Sequence, residues 1–242
     1  MNKEREKSIL EILLSEEKVY VRDLAERLYA SEPSIRRDLK NLEIHGLLKR
    51  IHGGAILPEP IVGNDHIPFA IREYEQADEK IIIAKKAAAL VKDGDVLFLD
   101  ASSSAFAVIP YLSTKINLTI ITSSVKALEA LSEYPAIKVI STGGVLLPAC
   151  LSLVGHDALR MLDDINANIA FISCRGISPD GILTDTSVEE NIVRKKMIEK
   201  SERQYALCTR DKFGRKYLHS LCHASNLTGI ISESNAYAEN TI

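Results

Sequence analysis

The sequence predicts two domains: an N-terminal winged helix-turn-helix, α-helical with a small β hairpin, and a C-terminal α/β domain whose mostly parallel sheet is flanked by helices. Two observations predict this organisation. Residues 31–55 place basic residues on one side of a short helix, apolar residues on the other, and a basic hairpin directly afterwards. From about residue 73, short apolar strands alternate with helices, and a chain of 242 residues has room for both domains.

Apolar residues at helical spacing predict three helices in the first 46 residues. The first covers 3–15 and has its apolar positions at Ile9, Ile12 and Leu13. The second is short, with apolar positions at Val21, Leu24, Ala25 and Leu28. The third begins after Ser31, a good N-cap, and ends at Gly46. Its buried stripe is expected at Ile35, Leu39 and Leu42.

Residues 47–56 predict two short strands that turn at Gly53-Gly54, which completes a winged helix-turn-helix over 1–57. A linker over 58–76 is indicated by proline and glycine, at Pro58, Pro60, Gly63 and Pro68. The remaining residues, 77–242, are expected to form a domain that binds an effector and oligomerises.

The third helix and the hairpin supply a set of candidate DNA-binding residues. Arginine can bind guanine in a bidentate manner, and both arginine and lysine can hold phosphate. The candidates lie away from the apolar stripe or on the hairpin: Ser34, Arg36, Arg37, Lys40, Lys49, Arg50 and His52. The alternative is a solvated helix face on which Arg36 or Arg37 pairs with Glu32 or Asp38.

The position of the charges and the lack of paired cysteines favour a site-specific DNA-binding protein in a reducing cytoplasm. The net charge is −3, but residues 34–57 hold five Lys/Arg against two Asp/Glu, a local basic patch that suits site-specific DNA binding. No signal-peptide core or membrane span is expected, because the uncharged run 139–156 contains glycine and proline. Without a CxxC pair, free thiols are expected at Cys150, Cys174, Cys208 and Cys222. The six histidines are scattered, so we expect no metal site and no cofactor.

The second domain alternates strands with helices, which is typical of a mostly parallel sheet. Strands are predicted at 96–100, 118–122, 137–141, 168–173, 205–208 and 228–231. Helices are predicted at 77–92, 103–112, 124–133, 152–163 and 187–202.

Small polar or charged residues follow most of these strands. Ligands of parallel α/β sheets bind beyond the carboxyl ends of the strands, and loops rich in Ser, Thr and Gly offer N–H groups to phosphate. The candidate effector-binding residues are Asp100, Ser102, Ser103, Ser104, Thr122, Ser123, Gly143, Gly144, Arg175, Asp185, Glu190 and Lys212. Lys212 is expected to supply countercharge, and Asp100 and Asp185 to hold sugar hydroxyls. Structural alternatives are a helix cap at Ser102, a simple turn at Gly143-Gly144, and a helical Glu190–Arg194 pair.

The run S-x-x-[S/T]-I-R-R-D-L-x-x-L-x-x-x-G-x-L-x-R-x-H-G-G-A, matched over 31–55, resembles the DeoR family of bacterial transcriptional regulators, with Ser34 where threonine is more usual. The resemblance continues in the second domain through D-x-[GS]-[ST]-[ST], S-x-x-G (152–155), E-x-x-x-[KR]-[KR]-x-M (190–197) and K-F-G (212–214). It implies a sensor domain similar in fold to ribose-5-phosphate isomerases that binds phosphorylated sugars. Departures from the family pattern are Ser103, Asn168 and Thr209.

The resemblance implies a regulator, mostly a repressor of sugar or nucleoside catabolism genes, whose operator affinity a phosphorylated sugar modulates. A single recognition helix covers few bases, so repeated or palindromic half-sites and a homo-oligomer, dimer or tetramer, are expected. One alternative is an active sugar-phosphate isomerase with a DNA-binding appendage. The other is a regulator whose sensor domain has lost its ligand and serves only for assembly. We expect no catalytic residues.

Overall fold

The computed structural model describes residues 3–44, 46–58 and 69–234, and the chain divides into two compact units, 1–75 and 76–242. The first unit contains the three predicted helices, α1 (Lys3–Glu16), α2 (Val21–Arg27) and α3 (Glu32–Ile44). The carbonyl of Ser31 accepts hydrogen bonds from the Ser34 and Ile35 amides at 2.9 and 3.1 Å, so α3 begins where the sequence indicates.

A small sheet completes the first unit. Its strands β1 (Lys18–Tyr20), β2 (Lys49–Ile51) and β3 (Gly54–Ile56) pair in the order β1-β3-β2. The hairpin turns at His52-Gly53, whereas the sequence placed the turn at Gly53-Gly54; Gly54 instead pairs within β3. Gly54 is required there because a Cβ would lie 2.0 Å from the Val19 carbonyl oxygen.

The core of the first unit is the predicted apolar stripe of α3 packed on α1 and α2. Ile35, Leu39 and Leu42 are all at most 2% exposed and share one cluster with Ile9 and Leu13. An additional helix, α4 (Phe69–Tyr74), contributes Ile71 to this cluster. Part of the predicted linker over 58–76 is therefore helical. Its residues 59–68, with Pro60, Gly63 and Pro68, lie outside the described residues.

The second unit is built on a parallel sheet. Within the described residues, six strands pair in the order β14-β12-β9-β4-β5-β6, and every pair is parallel. These strands are β4 (Val96–Leu99), β5 (Thr119–Thr122), β6 (Lys138–Ser141), β9 (Ala167–Ile172), β12 (Ser201–Leu207) and β14 (Gly229–Ile231). They confirm the six predicted strands and the predicted fold class.

Helices cover both faces of this sheet. They are α5 (Ala77–Ala89), α6 (Ser103–Phe106), α7 (Val125–Leu131), α8 (His156–Asp163) and α9 (Val188–Glu199), with 3-10 turns at Ile109–Leu112, Arg210–Lys212 and Ala224–Asn226. Alternate residues of β4 point to opposite faces. Leu97 and Leu99 join one apolar cluster and Phe98 joins the other, so both faces of the strand are buried.

Two features of the second unit were not predicted. The strands β7 (Val145–Leu147) and β8 (Ser152–Val154) form an antiparallel hairpin, so α8 begins at His156 and the predicted helix over 152–163 is wrong in its first turn. A small antiparallel sheet has the order β10-β11-β13, from β10 (Gly176–Ile177), β11 (Ile182–Asp185) and β13 (His219–His223).

The predicted 103–112 helix is likewise interrupted, because α6 stops at Phe106 and a 3-10 turn follows at Ile109–Leu112. Of the four cysteines, Cys150, Cys174 and Cys208 are buried, Cys222 is half-buried, and all are free thiols. Within the described parts of the chain, no helix combines the length and apolarity needed to cross a bilayer.

Candidate functional site

The outer face of α3 is basic. Arg36, Arg37 and Lys40 are exposed, whereas Ile35 and Leu39 on the opposite side are buried. The helix period produces this separation, since the apolar positions recur every three to four residues and the basic ones fall between them. Ser34, the remaining candidate on α3, is half-buried, and its hydroxyl lies 2.9 Å from that of Ser31.

The basic residues of α3 differ in whether they are already paired. Arg36 donates to Glu32 at 3.0 Å, as the solvated-face alternative supposed, but both side chains are about half exposed. Asp38 is buried and accepts from Arg5 on α1, so it does not pair with Arg37. Within the described part of the chain, Arg37 and Lys40 form no ion pair. Their charges are therefore available to an external anion.

The hairpin carries its predicted basic residues at the surface. Lys49, Arg50 and His52 are exposed. Glu43 of α3 accepts two hydrogen bonds from Arg50, one from the backbone N–H at 3.0 Å and one from Nε at 2.7 Å. These bonds hold the pKa of the Glu43 carboxyl below its usual value, so it stays ionised at neutral pH.

A cleft of about 290 Å³ separates α3 from the hairpin. It is lined by Val21, Arg36, Leu39, Glu43, Arg50, Ile51, Gly53 and Gly54. The basic face of α3 and the strand β2 of the hairpin therefore lie on the same side of the first unit. An α-helix with exposed arginine and lysine beside a basic hairpin fits the major groove and the adjacent backbone of duplex DNA.

In the second unit, the parallel sheet brings the carboxyl ends of its strands to one edge. Leu99 of β4 lies in register with Thr122 of β5 and with Phe171 of β9, and Thr122 lies in register with Ser141 of β6. The loops after β4, β5, β6, β9 and β12 therefore lie along this edge, which we call the ligand edge. It holds every predicted effector residue except Asp185 and Glu190, which belong to β11 and α9.

Asp100 organises the loops at the centre of the ligand edge. Its Oδ1 accepts from the Ser102 amide at 3.0 Å, and its Oδ2 accepts from the Ser173 amide at 3.0 Å and from Arg194 Nε at 2.8 Å. The side chain is 1% exposed. A carboxylate bonded in this way fixes the loops after β4 and β9 to α9. Its predicted contact with a sugar hydroxyl stays a prediction.

Arg194, which the sequence placed in a helical pair with Glu190 but not among the candidate effector residues, makes the main ion pairs beside Asp100. Its side chain is 4% exposed, and it donates to Asp185 at 2.8 Å as well as to Asp100. Glu190, predicted to pair with it along the helix, lies at 3.5 Å, and its Oε1 accepts no hydrogen bond. Arg194 therefore joins carboxylates from two sheets, through Asp100 after β4 and Asp185 at the end of β11. We call the side chains of Arg194, Asp100, Asp185 and Glu190 the Arg194 cluster.

Electrostatics favour the charged forms of Arg194 and Asp185. Burial opposes a charged guanidinium, yet Asp185, Glu190 and Asp100 together hold the pKa of Arg194 above its ordinary value. Burial alone would raise the pKa of Asp185, but the charge of Arg194 and the Thr186 N–H outweigh it and lower that pKa. The cluster is thus a buried network of ion pairs centred on one arginine.

The serine-rich loops combine structural and open groups. Ser102 caps α6 by accepting from the Ala105 amide at 3.1 Å, as the structural alternative proposed. Ser103 is buried with it, and the buried Ser104 hydroxyl has no hydrogen-bond partner among the described residues. Thr122 accepts from the Ser124 amide at 3.0 Å. Ser123 is buried, and its carbonyl accepts from Leu153 of the β7–β8 hairpin at 2.7 Å.

Glycines and cations complete the ligand edge. Gly143 and Gly144 have φ values of +65° and +103°, so the loop after β6 turns sharply. Lys212 donates to the Ser173 hydroxyl at 2.8 Å, which connects it through Ser173 to Asp100. Arg175 is half-buried, and its charge helps to lower the pKa of Asp185. In the portion of the chain that the structure describes, no cluster of three or more His, Cys, Asp or Glu side chains is arranged to hold a metal.

A basic winged helix and an α/β unit with this strand order, in one chain, define a DNA-binding transcriptional regulator. Residues 5–60 match the DeoR-like helix-turn-helix domain, and residues 75–234 match the DeoR C terminal sensor domain. The chain belongs to the DeoR family.

Similar proteins carry the names of regulators. The chain is 35% identical over 231 residues to the HTH-type transcriptional regulator YulB of Bacillus subtilis, covering 96% of this chain and 88% of that protein. It is 32% identical over 229 residues to the L-fucose operon activator of Haemophilus influenzae, with coverages of 95% and 91%. It is 27% identical over 231 residues to the glycerol-3-phosphate regulon repressor of Escherichia coli, with coverages of 96% and 90%. These relatives are regulators, so no enzymatic activity is assigned to the chain.

Two solved structures are similar to part of this chain. The eIF2B delta structure from Chaetomium thermophilum aligns with a TM-score of 0.51 at 16% identity, covering 66% of this chain and 57% of that chain. A ribose 5-phosphate isomerase from Methanocaldococcus jannaschii aligns with a TM-score of 0.43 at 22% identity, covering 57% and 55%.

Proposed function

We propose that this protein regulates a sugar or nucleoside catabolism operon from the cytoplasm and that a phosphorylated sugar modulates its affinity for the operator. The α3 face and the hairpin contact the DNA through Ser34, Arg36, Arg37, Lys40, Lys49 and His52. Arg50, the remaining predicted contact, is bonded to Glu43. The observation that carries this proposal is the pair of exposed cations on α3, Arg37 and Lys40, that form no ion pair with any described residue. Unpaired cations beside a basic hairpin provide the phosphate contacts that fix a recognition helix in register.

The DNA contact is tested with a duplex selected from a random-sequence pool by the unaltered protein. Lys40→Ala should weaken binding and reduce the slope of log affinity against log salt by about 0.9, because one phosphate contact is lost. Lys138→Ala removes the same charge from an exposed position on β6 and should change neither quantity. Equal affinities and salt slopes for Lys40→Ala and the unaltered protein would refute the proposed contact.

The effector is proposed to bind at the ligand edge with its phosphate near Lys212 and the loops after β4, β5 and β6. Backbone N–H groups, hydroxyls and a lysine are the groups that bind phosphate in such loops. The names of two relatives, a glycerol-3-phosphate regulon repressor and an L-fucose operon activator, are consistent with a carbohydrate-derived effector. One of these relatives is named a repressor and the other an activator. Expression of a reporter gene placed under the selected operator therefore tests whether this protein represses or activates.

Thermal melting of the full chain tests the effector proposal. A sugar phosphate at ~100 times its dissociation constant stabilises the protein by about 2.7 kcal/mol. For a chain of this size that is roughly 5–10 °C in Tm. Phosphorylated sugars should produce this shift and their unphosphorylated forms should not. No shift with a broad panel, while operator binding persists, would favour a sensor that serves only for assembly.

The assembly is proposed to be a dimer or a tetramer. Two recognition helices on half-sites about one helical turn apart, 10–10.5 base pairs, read enough sequence for specificity. The selected duplex should therefore contain two related half-sites, and sedimentation of the protein–DNA complex should give two or four chains per duplex. A single half-site bound by one chain would contradict this part of the proposal.

A further inference from the structure

Glu43, in the last turn of α3, connects the recognition helix to the hairpin. Its carboxylate accepts the Arg50 backbone N–H at 3.0 Å and Arg50 Nε at 2.7 Å. The strand that carries Arg50 is β2, which lies at the outer edge of the order β1-β3-β2. The Arg50 N–H points away from β3, so Glu43 satisfies a donor of the open strand edge.

We propose that Glu43 is a positioning residue for DNA binding: it fixes the hairpin against α3 and so holds Lys49 and His52 in register with Arg37 and Lys40. The inference rests on the proposed DNA-contact surface and adds a residue that touches no DNA itself. Phosphate contacts set the register of a protein on the duplex, and contacts from two elements cooperate only if their spacing is fixed.

The geometry separates Glu43 from the other carboxylate on this face. Glu32 pairs with Arg36 four residues later on the same helix, so that ion pair constrains only side chains of α3. Glu43 and Arg50 come from different elements, and one of the two bonds holds the backbone of β2 itself. Both residues line the cleft between α3 and the hairpin. Losing Glu43 therefore removes two hydrogen bonds that join the two walls of the cleft.

The sign of the effect distinguishes positioning from charge. By charge alone, removal of a carboxylate close to DNA raises affinity for every duplex, because the phosphates lose a repulsive partner and a paired arginine is freed. If Glu43 positions the hairpin, its removal lowers the affinity for the selected duplex. The affinity for scrambled DNA then still rises through the loss of charge. Glu32→Ala is the matched control, since it removes the same charge and frees Arg36 without releasing the hairpin.

The test measures affinities of the full chain for the duplex selected by the unaltered protein and for a scrambled duplex. Glu43→Ala should bind the selected duplex about 10-fold more weakly and the scrambled duplex equally or more tightly. Glu43→Gln, which keeps an oxygen for the backbone N–H, should fall between Glu43→Ala and the unaltered protein. Glu32→Ala should bind both duplexes as tightly as the unaltered protein or more tightly.

A double variant tests whether the two residues act through one contact. Glu43→Ala with Arg50→Ala should weaken selected binding no more than the larger single change, because the effects of two partners are not additive. Retained affinity of Glu43→Ala for the scrambled duplex shows that the unit is folded. Binding of the selected duplex by Glu43→Ala as tightly as by the unaltered protein would overturn the positioning role. If Lys40→Ala also has no effect, the DNA-contact surface itself is refuted, and the positioning role with it.

Discussion

Replacement of Arg194 by methionine should strongly destabilise the second unit. The substitution removes the guanidinium bonds to Asp100 and Asp185, both at 2.8 Å, and leaves side chains that are 1% and 8% exposed without their cation. Breaking a buried ion pair costs about 3–5 kcal/mol. With ~2–4 °C of Tm per kcal/mol for a chain of this size, the melting temperature should fall by roughly 6–20 °C.

The pH dependence of this loss follows from Asp185. In the unaltered protein the pKa of Asp185 lies below its ordinary value, so its stabilising contribution is present above the unfolded-state pKa and is lost as pH falls through the folded-state pKa. In Arg194→Met the same buried carboxyl has lost its main cation, which raises its pKa. The variant should therefore differ most from the unaltered protein at neutral pH, and the difference should shrink as pH falls toward 4.

Thermal melts of the full chain at several pH values provide the assay. Lys195→Met is the control, because it makes the same type of change at the exposed neighbouring position of α9 and should cost less than about 0.5 kcal/mol. A loss in Arg194→Met of less than about 1 kcal/mol, or one independent of pH, would refute the assignment of the Arg194 cluster as an ionic network that depends on this arginine.

Three further outcomes follow from single contacts. Arg37→Ala should weaken binding of the selected duplex by about 1–3 kcal/mol and relax its preference at one base pair if the guanidinium reads guanine, as repeated selection would show. Gly54→Ala should destabilise the first unit by about 1–3 kcal/mol, because the new Cβ clashes with the Val19 carbonyl; the melting transition of that unit measures the loss. The added Cβ of Gly53→Ala meets open space, so this control should cost only about 1 kcal/mol, for the positive φ of residue 53. Lys212→Ala should abolish the phosphate-dependent thermal shift, whereas Lys216→Ala, an exposed neighbour, should retain it.

The parallel sheet was predictable because its strands are short apolar runs between polar loops. The run 96–99 is buried on both faces, and this pattern identifies a central strand of an α/β sheet. The β7–β8 hairpin carries no such signal. Val145 and Leu146 of β7 are exposed, and β7 and β8 are each three residues long. The apolar spacing of the adjacent α8 extends the helical pattern back over β8. Short exposed strands acquire their pairing from tertiary context rather than from local pattern.

The candidate site was predictable in its loops and not in its ion pairs. Asp100, Asp185 and Glu190 could be placed near strand or helix ends from their positions in the chain. Arg194 could be related by spacing only to Glu190, and that is its longest ion-pair contact, at 3.5 Å. Its shorter contact with Asp100 spans 94 positions of sequence, so only the folded sheet brings the two together. The same holds for Glu43 and Arg50, which meet because the hairpin folds back on α3.

The strand order of the second unit delays the completion of its sheet during synthesis. The central strand β4 lies between β5, which follows it closely, and β9, whose residue Ile169 pairs in register with Leu97. During synthesis the backbone N–H and C=O groups along one edge of β4 therefore stay unpaired until β9 leaves the ribosome. The contacts of the first unit lie closer together in sequence. Non-local parallel pairing is slow relative to local helix packing. The DNA-binding unit should thus acquire its fold while the nascent α/β unit still lacks the middle of its sheet, so that a chain released before residue 167 would carry an operator-binding head on an aggregation-prone tail.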